Sequence, residues 1–175
     1  MMKFAIHSYL PRRYQGRASF EEQDICRRIL AFKDGRNVYS RWAAHQFATA
    51  LSAVPMSDAA IVCIPASTQC SNVRRWKLFS KVLCQLTGAQ NGFDHIEVRG
   101  RRKRAHVTGV YELATDIEQY VHIDEDYFRD RKVVVIDDIY TTGQSSRAFI
   151  EAMEQAGATV VMAGFLAKTR QFGVR

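Results

Sequence analysis

No apolar run in the sequence approaches the roughly 20 residues of a membrane-spanning helix. The opening MMKFAIHSYLPRR holds too short an apolar stretch for a secretory signal. Both absences argue for a cytoplasmic protein with no membrane partner. Cys26, Cys63, Cys70 and Cys84 contain no C-x-x-C pair. Reduced, mostly buried thiols are therefore expected, rather than a metal site or disulfides. His7, His45, His95 and His122 show no ligand spacing, and no nucleophilic triad is apparent. No internal repeat, low-complexity tract or Pro/Gly-rich linker divides the chain. One domain over residues 1–175 is the natural prior, with 1–57 as an N-terminal cap or hood and 58–175 as the core.

What the sequence does have is hydrophobic content and positive charge. At 47% hydrophobic, 175 residues can bury a sizeable core. A net charge of +7 favours anionic partners. A phosphorylated small molecule and a nucleic acid both fit. The charge is uneven: residues 99–104 (RGRRKR) form a basic cluster, while 112–130 carry mostly acids.

Residues 132–146, KVVVIDDIYTTGQSS, concentrate the chemistry. Val133, Val134, Val135 and Ile136 form an unbroken β-branched run, the mark of a strand buried on both faces of a parallel sheet. Asp137 and Asp138 follow where that strand is expected to end. Thr141, Thr142, Gly143, Gln144 and Ser145 then make a small, hydroxyl-rich turn into a helix. A helix N-terminus offers N–H groups and positive dipole to an anion. The carboxylates offer acceptors to sugar hydroxyls, directly or beside a metal. The pattern suits a sugar phosphate.

The rest of the chain frames this stretch. Residues 3–8 suit a short edge strand, and 11–17 a basic loop. Ser19 and Glu22 match a capping box, with Ile25, Ile29 and Phe32 on one helical face and Gly35 as the stop. A second helix is expected over 40–53. Residues 59–64 (AAIVCI) suit a buried strand ended by Pro65, and 66–71 a small polar loop. Ser71 or Asn72 is the expected cap of a helix running to Thr87. Further strands are expected at 95–98 and 159–166, and helices at 112–120 and after Ser145. Alternating strands and helices predict an α/β fold. Its mostly parallel central sheet carries helices on both faces, with a small N-terminal helical cap beside the sheet edge. Two strand–loop–helix units would put two anion-receptive loops at one carboxyl edge, where open α/β sheets bind ligands.

Residues 133–145 closely resemble the phosphoribosyl pyrophosphate (PRPP) motif of the type I phosphoribosyltransferases. Tyr140 departs from it, standing where an aliphatic residue is usual. Three looser blocks resemble the competence protein F (ComF)-like branch: 29–51 with its Lys-containing helix end, 64–79 with its proline-bearing loop and Arg-rich helix start, and 104–109 in place of a mobile basic segment. The branch's Cys cluster is absent. The resemblance implies that Asp137 and Asp138 contact the ribose hydroxyls. It implies that residues 141–145 hold the 5-phosphate, and that Ala66, Ser67 and Thr68 hold pyrophosphate in a loop that often contains a non-proline cis peptide. Arg101, Arg102, Lys103, Arg104 and His106 would close over the site, and Lys168 would stand on the acceptor side. Mg²⁺ would be held mainly by PRPP oxygens, with no certain protein ligand. Thr141 stands where the 6-oxopurine enzymes typically have Asp, which argues against hypoxanthine or guanine as acceptor.

The reaction so implied transfers phosphoribosyl from PRPP to a nitrogen of a base or amine and releases pyrophosphate. Two other readings stay open. One is a non-catalytic PRPP- or nucleotide-binding protein linked to DNA uptake or regulation. The other is a nucleic-acid-binding protein using residues 101–104, which leaves 132–146 unexplained. The acceptor stays unassigned, and a homodimer is an open state.

Overall fold

A computed structural model describes residues 1–100 and 117–170. In chain order the elements are β1 (Met2–Tyr9), α1 (Phe20–Lys33), α2 (Asn37–Ala50), β2 (Ala59–Cys63), α3 (Gln69–Thr87), β3 (Gln90–Asn91) and β4 (Ile96–Val98). There follow α4 (Ile117–Tyr120), β5 (Val121–Ile123), α5 (Glu125–Phe128), β6 (Lys132–Tyr140), α6 (Gln144–Gln155) and β7 (Thr159–Thr169). A 3₁₀ helix, Arg12–Arg17, occupies the expected basic loop.

Five strands form one sheet in the order β1-β7-β6-β2-β3, and every pairing is parallel. The apolar strands β2, β6 and β7 take the interior, as sequences buried on both faces must. Strands β4 and β5 form a separate antiparallel pair. One face of the sheet packs Ile61, Val134 and Ile136 against Ile29, Phe32, Phe47, Trp76 and Phe79 of α1, α2 and α3. The other packs Val62, Val133 and Val135 against Phe149 and Met153 of α6, with Ile117 and Phe128 beside them. The chain is thus the α/β fold with a mostly parallel sheet and helices on both faces that its periodicity predicts, but α1 and α2 pack with α3 on one face of the sheet rather than as a cap beside its edge, where β1 stands. The four cysteines are free, and Cys26, Cys63 and Cys84 are buried. Among the described residues no helix is long and apolar enough to cross a membrane.

Helix α1 starts as its sequence dictates. Ser19 accepts from the Glu22 N–H, and the Glu22 carboxylate accepts from the Ser19 N–H, closing the capping box. Other boundaries move. Helix α2 begins earlier than expected, at Asn37, and buries Ser40 within its first turns. Strand β7 runs on through Lys168 and Thr169 because it stays paired with β6 as far as Lys168 and with β1 as far as Thr169.

Helix α3 is capped by Thr68, whose hydroxyl accepts from the Ser71 N–H at 3.2 Å. Neither Ser71 nor Asn72 is the cap. Asn72 turns inward, and its Oδ1 accepts from the buried Ala66 N–H at 3.0 Å. Helix α6 is entered through Gly143 rather than Ser145. Gly143 adopts φ +81°, the left-handed region that glycine enters without steric cost.

Candidate functional site

In an all-parallel sheet the strand ends that carry loops into helices lie at one edge. Here β2 feeds residues 64–68 into α3, and β6 feeds residues 141–143 into α6. The two strands are hydrogen-bonded neighbours, and the Ile64 N–H donates to the Ile136 carbonyl at 2.9 Å. Both loops predicted to receive anions therefore stand side by side.

The carboxylate pair does not follow a strand end. Strand β6 continues through Asp137 and Asp138 to Tyr140, with Asp137 opposite Phe165 and Tyr140 opposite Lys168. Pairing with β7 supplies backbone partners that sequence periodicity alone cannot anticipate. The two carboxylates have different surroundings. Asp138 is buried at 5% exposure, and its Oδ1 accepts from the Ile139 N–H at 2.7 Å. Asp137 is only partly buried, and its Oδ1 accepts from the Asp138 N–H at 2.8 Å.

Two cations stand beside Asp138. Arg75 Nη1 of α3 lies 2.9 Å from Asp138 Oδ2, and Lys33 Nζ of α1 lies 3.9 Å from the same oxygen. Arg75 Nε donates to the Lys33 carbonyl at 3.0 Å, so the C-terminus of α1 holds the guanidinium in place. The geometry at Asp138 Oδ2 is electrostatic: the oxygen is fully buried, and no N–H is aligned to form a hydrogen bond with it. The Asp137 carboxyl is pushed up to about 8, first by desolvation and then by the charge of Asp138, with Arg75 and Lys33 opposing.

Lys33 and Arg75 had no assigned role in the sequence. Both fall within the 29–51 and 64–79 blocks. Their convergence on Asp138 needs the packing of α1 on α3, which no local pattern reveals.

The loop after β6 is built from small polar contacts. Thr141 Oγ1 is 3.0 Å from Thr169 Oγ1 at the end of β7. The Ser146 hydroxyl and the Arg147 N–H both bond to the Gly143 carbonyl, at 2.9 Å each. Thr142 is exposed, and its hydroxyl stands 3.5 Å from the Gln144 N–H. Tyr140 packs edge-on against Phe165 at 4.8 Å, and Lys168 Nζ lies 5.9 Å from the centre of its ring. Lys168 is thus next to the 141–145 loop.

In the other loop, Ala66 is buried while Ser67 is exposed. The Ser67–Thr68 peptide is trans. Arg101, Arg102, Lys103, Arg104 and His106 lie outside the described residues.

The fit of a divalent cation rests on the donors present. Among the described residues no group of three or more His, Cys, Asp or Glu is arranged to hold a metal. Mg²⁺ needs few protein ligands when phosphates supply oxygens, and a cation beside the partly exposed Asp137 would oppose its upward shift and favour its ionised form.

No curated protein matches the chain. A family model described as phosphoribosyl transferase domain matches residues 78–171, from the middle of α3 past the end of β7. That span holds β6, both carboxylates, the glycine-gated loop and the start of α6, and covers more than half of the sequence: the chain belongs to the phosphoribosyl transferase domain family.

Proposed function

We propose that the protein binds PRPP with Mg²⁺ and transfers its phosphoribosyl group to a nitrogen of a base or amine, releasing pyrophosphate. The observation that carries this is the adjacency of two loops at one sheet edge, with Asp137 and Asp138 on the strand between their helices. The 141–145 loop opens α6 and offers hydroxyls and helix N–H groups to the 5-phosphate. Residues 66–68, at the start of α3, take the pyrophosphate. The carboxylates orient the ribose and place negative charge near a cationic transition state. Mg²⁺, when bound, neutralises the leaving pyrophosphate. The basic segment 101–106 is assigned the part of a closing loop. The blocks around Lys33 and Arg75 support placement in the ComF-like branch.

The test is thermal stabilisation by millimolar PRPP with Mg²⁺. The wild type is expected to gain several degrees, and Asp137→Asn combined with Asp138→Asn is expected to gain none. No wild-type gain would sink the reading. Pyrophosphate release across a panel of bases and amines then separates a transferase from a protein that binds PRPP without turnover.

A further inference from the structure

The central sheet has two edges, and they are finished differently. One ends in β3, which is two residues long. The other ends in β1, eight residues long, whose register with β7 is constant from Met2 to Tyr9. An open edge is a template for pairing with another chain, and proteins blunt it with short strands, prolines, bulges or charges. Strand β1, MKFAIHSY, has no proline and no register shift, and Lys3 is its single full charge.

One hydrogen bond fixes which way its backbone groups point. The Arg170 N–H donates to the Tyr9 carbonyl at 2.9 Å, so Tyr9 turns its backbone toward β7. Successive residues of a strand turn to alternate sides. His7, Ala5 and Lys3 therefore also face β7. Met2, Phe4, Ile6 and Ser8 turn their N–H and C=O groups outward, where among the described residues no strand pairs with them.

We propose that this edge docks on the same edge of a second copy of the chain, the two β1 strands running antiparallel about a two-fold axis at Ala5. Antiparallel strands exchange hydrogen bonds only between residues that face each other. The four outward residues overlap fully in one register, which sets Met2 against Ser8 of the second copy and Phe4 against Ile6 of the second copy. Each such pair exchanges two hydrogen bonds, about eight in all. Any other register leaves outward groups unpaired.

Charge and size favour a second copy as the occupant. The full register holds the two Lys3 side chains apart and puts each opposite His7. Burial pushes the His7 ring toward its neutral form, and it lies stacked on Trp42 at 5.7 Å, so no like charges meet. Ala5, small and exposed, falls opposite itself. The edge is thus self-complementary, as an isologous contact requires. Because the strands run in opposite directions, the carboxyl edges of the two sheets lie at opposite ends. Both candidate sites stay open, and the inference does not depend on the transferase reading. One strand width is a small interface, so a dissociation constant in the micromolar range is expected.

Sedimentation of the full chain at rising concentration gives the first readout, with the wild type passing from monomer to dimer. Ala5→Lys and Ala5→Glu each bring like charges face to face at the axis, and each should weaken the dimer by at least about tenfold. Mixed in equal amounts, the two variants should form a dimer again, because opposite charges then meet. Melting temperatures close to that of the wild type show that both fold. Amide hydrogen exchange on the wild type needs no variant at all. The N–H groups of Phe4, Ile6 and Ser8 are expected to gain protection as concentration rises, while those of Ala5 and His7 are protected throughout. A wild type that stays monomeric at hundreds of micromolar overturns the proposal. So does a dimer that both charged variants leave intact, a mixture that fails to re-form it, or exchange at Phe4 and Ile6 that ignores concentration.

Discussion

The Tyr140 hydroxyl fills the space that a side chain at Gly143 would need. A Cβ at Gly143 would fall 2.5 Å from that oxygen. The residue that departs from the usual motif is therefore packed against the glycine of the 141–143 loop. Gly143 is required twice, once by its φ of +81° and once by Tyr140.

Gly143→Ala is accordingly expected to cost about 2 kcal/mol, combining left-handed backbone strain with the clash. Adding Tyr140→Val should return the steric part and leave the backbone part. Urea denaturation of the two variants and the wild type measures both. A Gly143→Ala protein as stable as the wild type would show that the loop can repack.

The Asp137 carboxyl makes a second prediction, through pH. Its folded-state value is raised to about 8, while the unfolded chain titrates near 4. The folded state then holds a proton that the unfolded state has lost. This contribution to stability is fully present below about pH 4 and is lost as pH rises through about 8. Asp24, Asp58 and Asp124 are shifted down, so their contributions are already settled above pH 5. His7, shifted down by burial, adds stability as pH rises toward its unfolded value, and it does so equally in wild type and variant. Between pH 5 and 8 the wild type should therefore lose stability relative to Asp137→Asn. Denaturation midpoints of both proteins across that range give the difference, and a flat difference would contradict the assignment.

Local signals placed most of this fold and part of the site. The β-branched run 133–136 announced β6, and the Ser19–Glu22 capping box fixed the start of α1 to the residue. The hydroxyl loop at 141–145 carries its pattern in consecutive residues. What stayed hidden depends on contacts between distant segments. Strand β6 outruns its apolar run because β7 continues to pair with it as far as Tyr140 and Lys168. Asn72 looked like a cap because Asn is a common one, yet the buried Ala66 N–H claims its side chain. Lys33 and Arg75 lie 42 residues apart and meet only when α1 and α3 pack together.

Asn72 gives the third prediction. Asn72→Ala would leave the Ala66 N–H buried without an acceptor, a loss of about 1–3 kcal/mol. Thr68→Ala removes only the α3 cap, at about 1 kcal/mol. Asn72→Ala should be the more damaging, although Thr68 is the more exposed residue and lies in the loop itself. Chemical denaturation orders the two, and the reverse order would show that Ala66 finds another acceptor.

The fourth prediction concerns Lys168, expected on the acceptor side from its place after the strand 159–166. Its ammonium lies over the Tyr140 ring, and the neighbouring Thr169 bonds to Thr141 of the loop. A cation held there adds charge-assisted attraction to a phosphate on residues 141–145. Lys168→Met is therefore expected to weaken ribose 5-phosphate binding about tenfold, and the loss should shrink as salt rises, because Lys168 is exposed. An acceptor-side lysine makes the opposite prediction. It would leave ribose 5-phosphate affinity unchanged and raise only the KM for the nitrogen acceptor. Titration calorimetry with ribose 5-phosphate at two salt concentrations distinguishes the two without knowledge of the acceptor. An unchanged affinity in the variant would return Lys168 to the acceptor side, despite its contact with Tyr140.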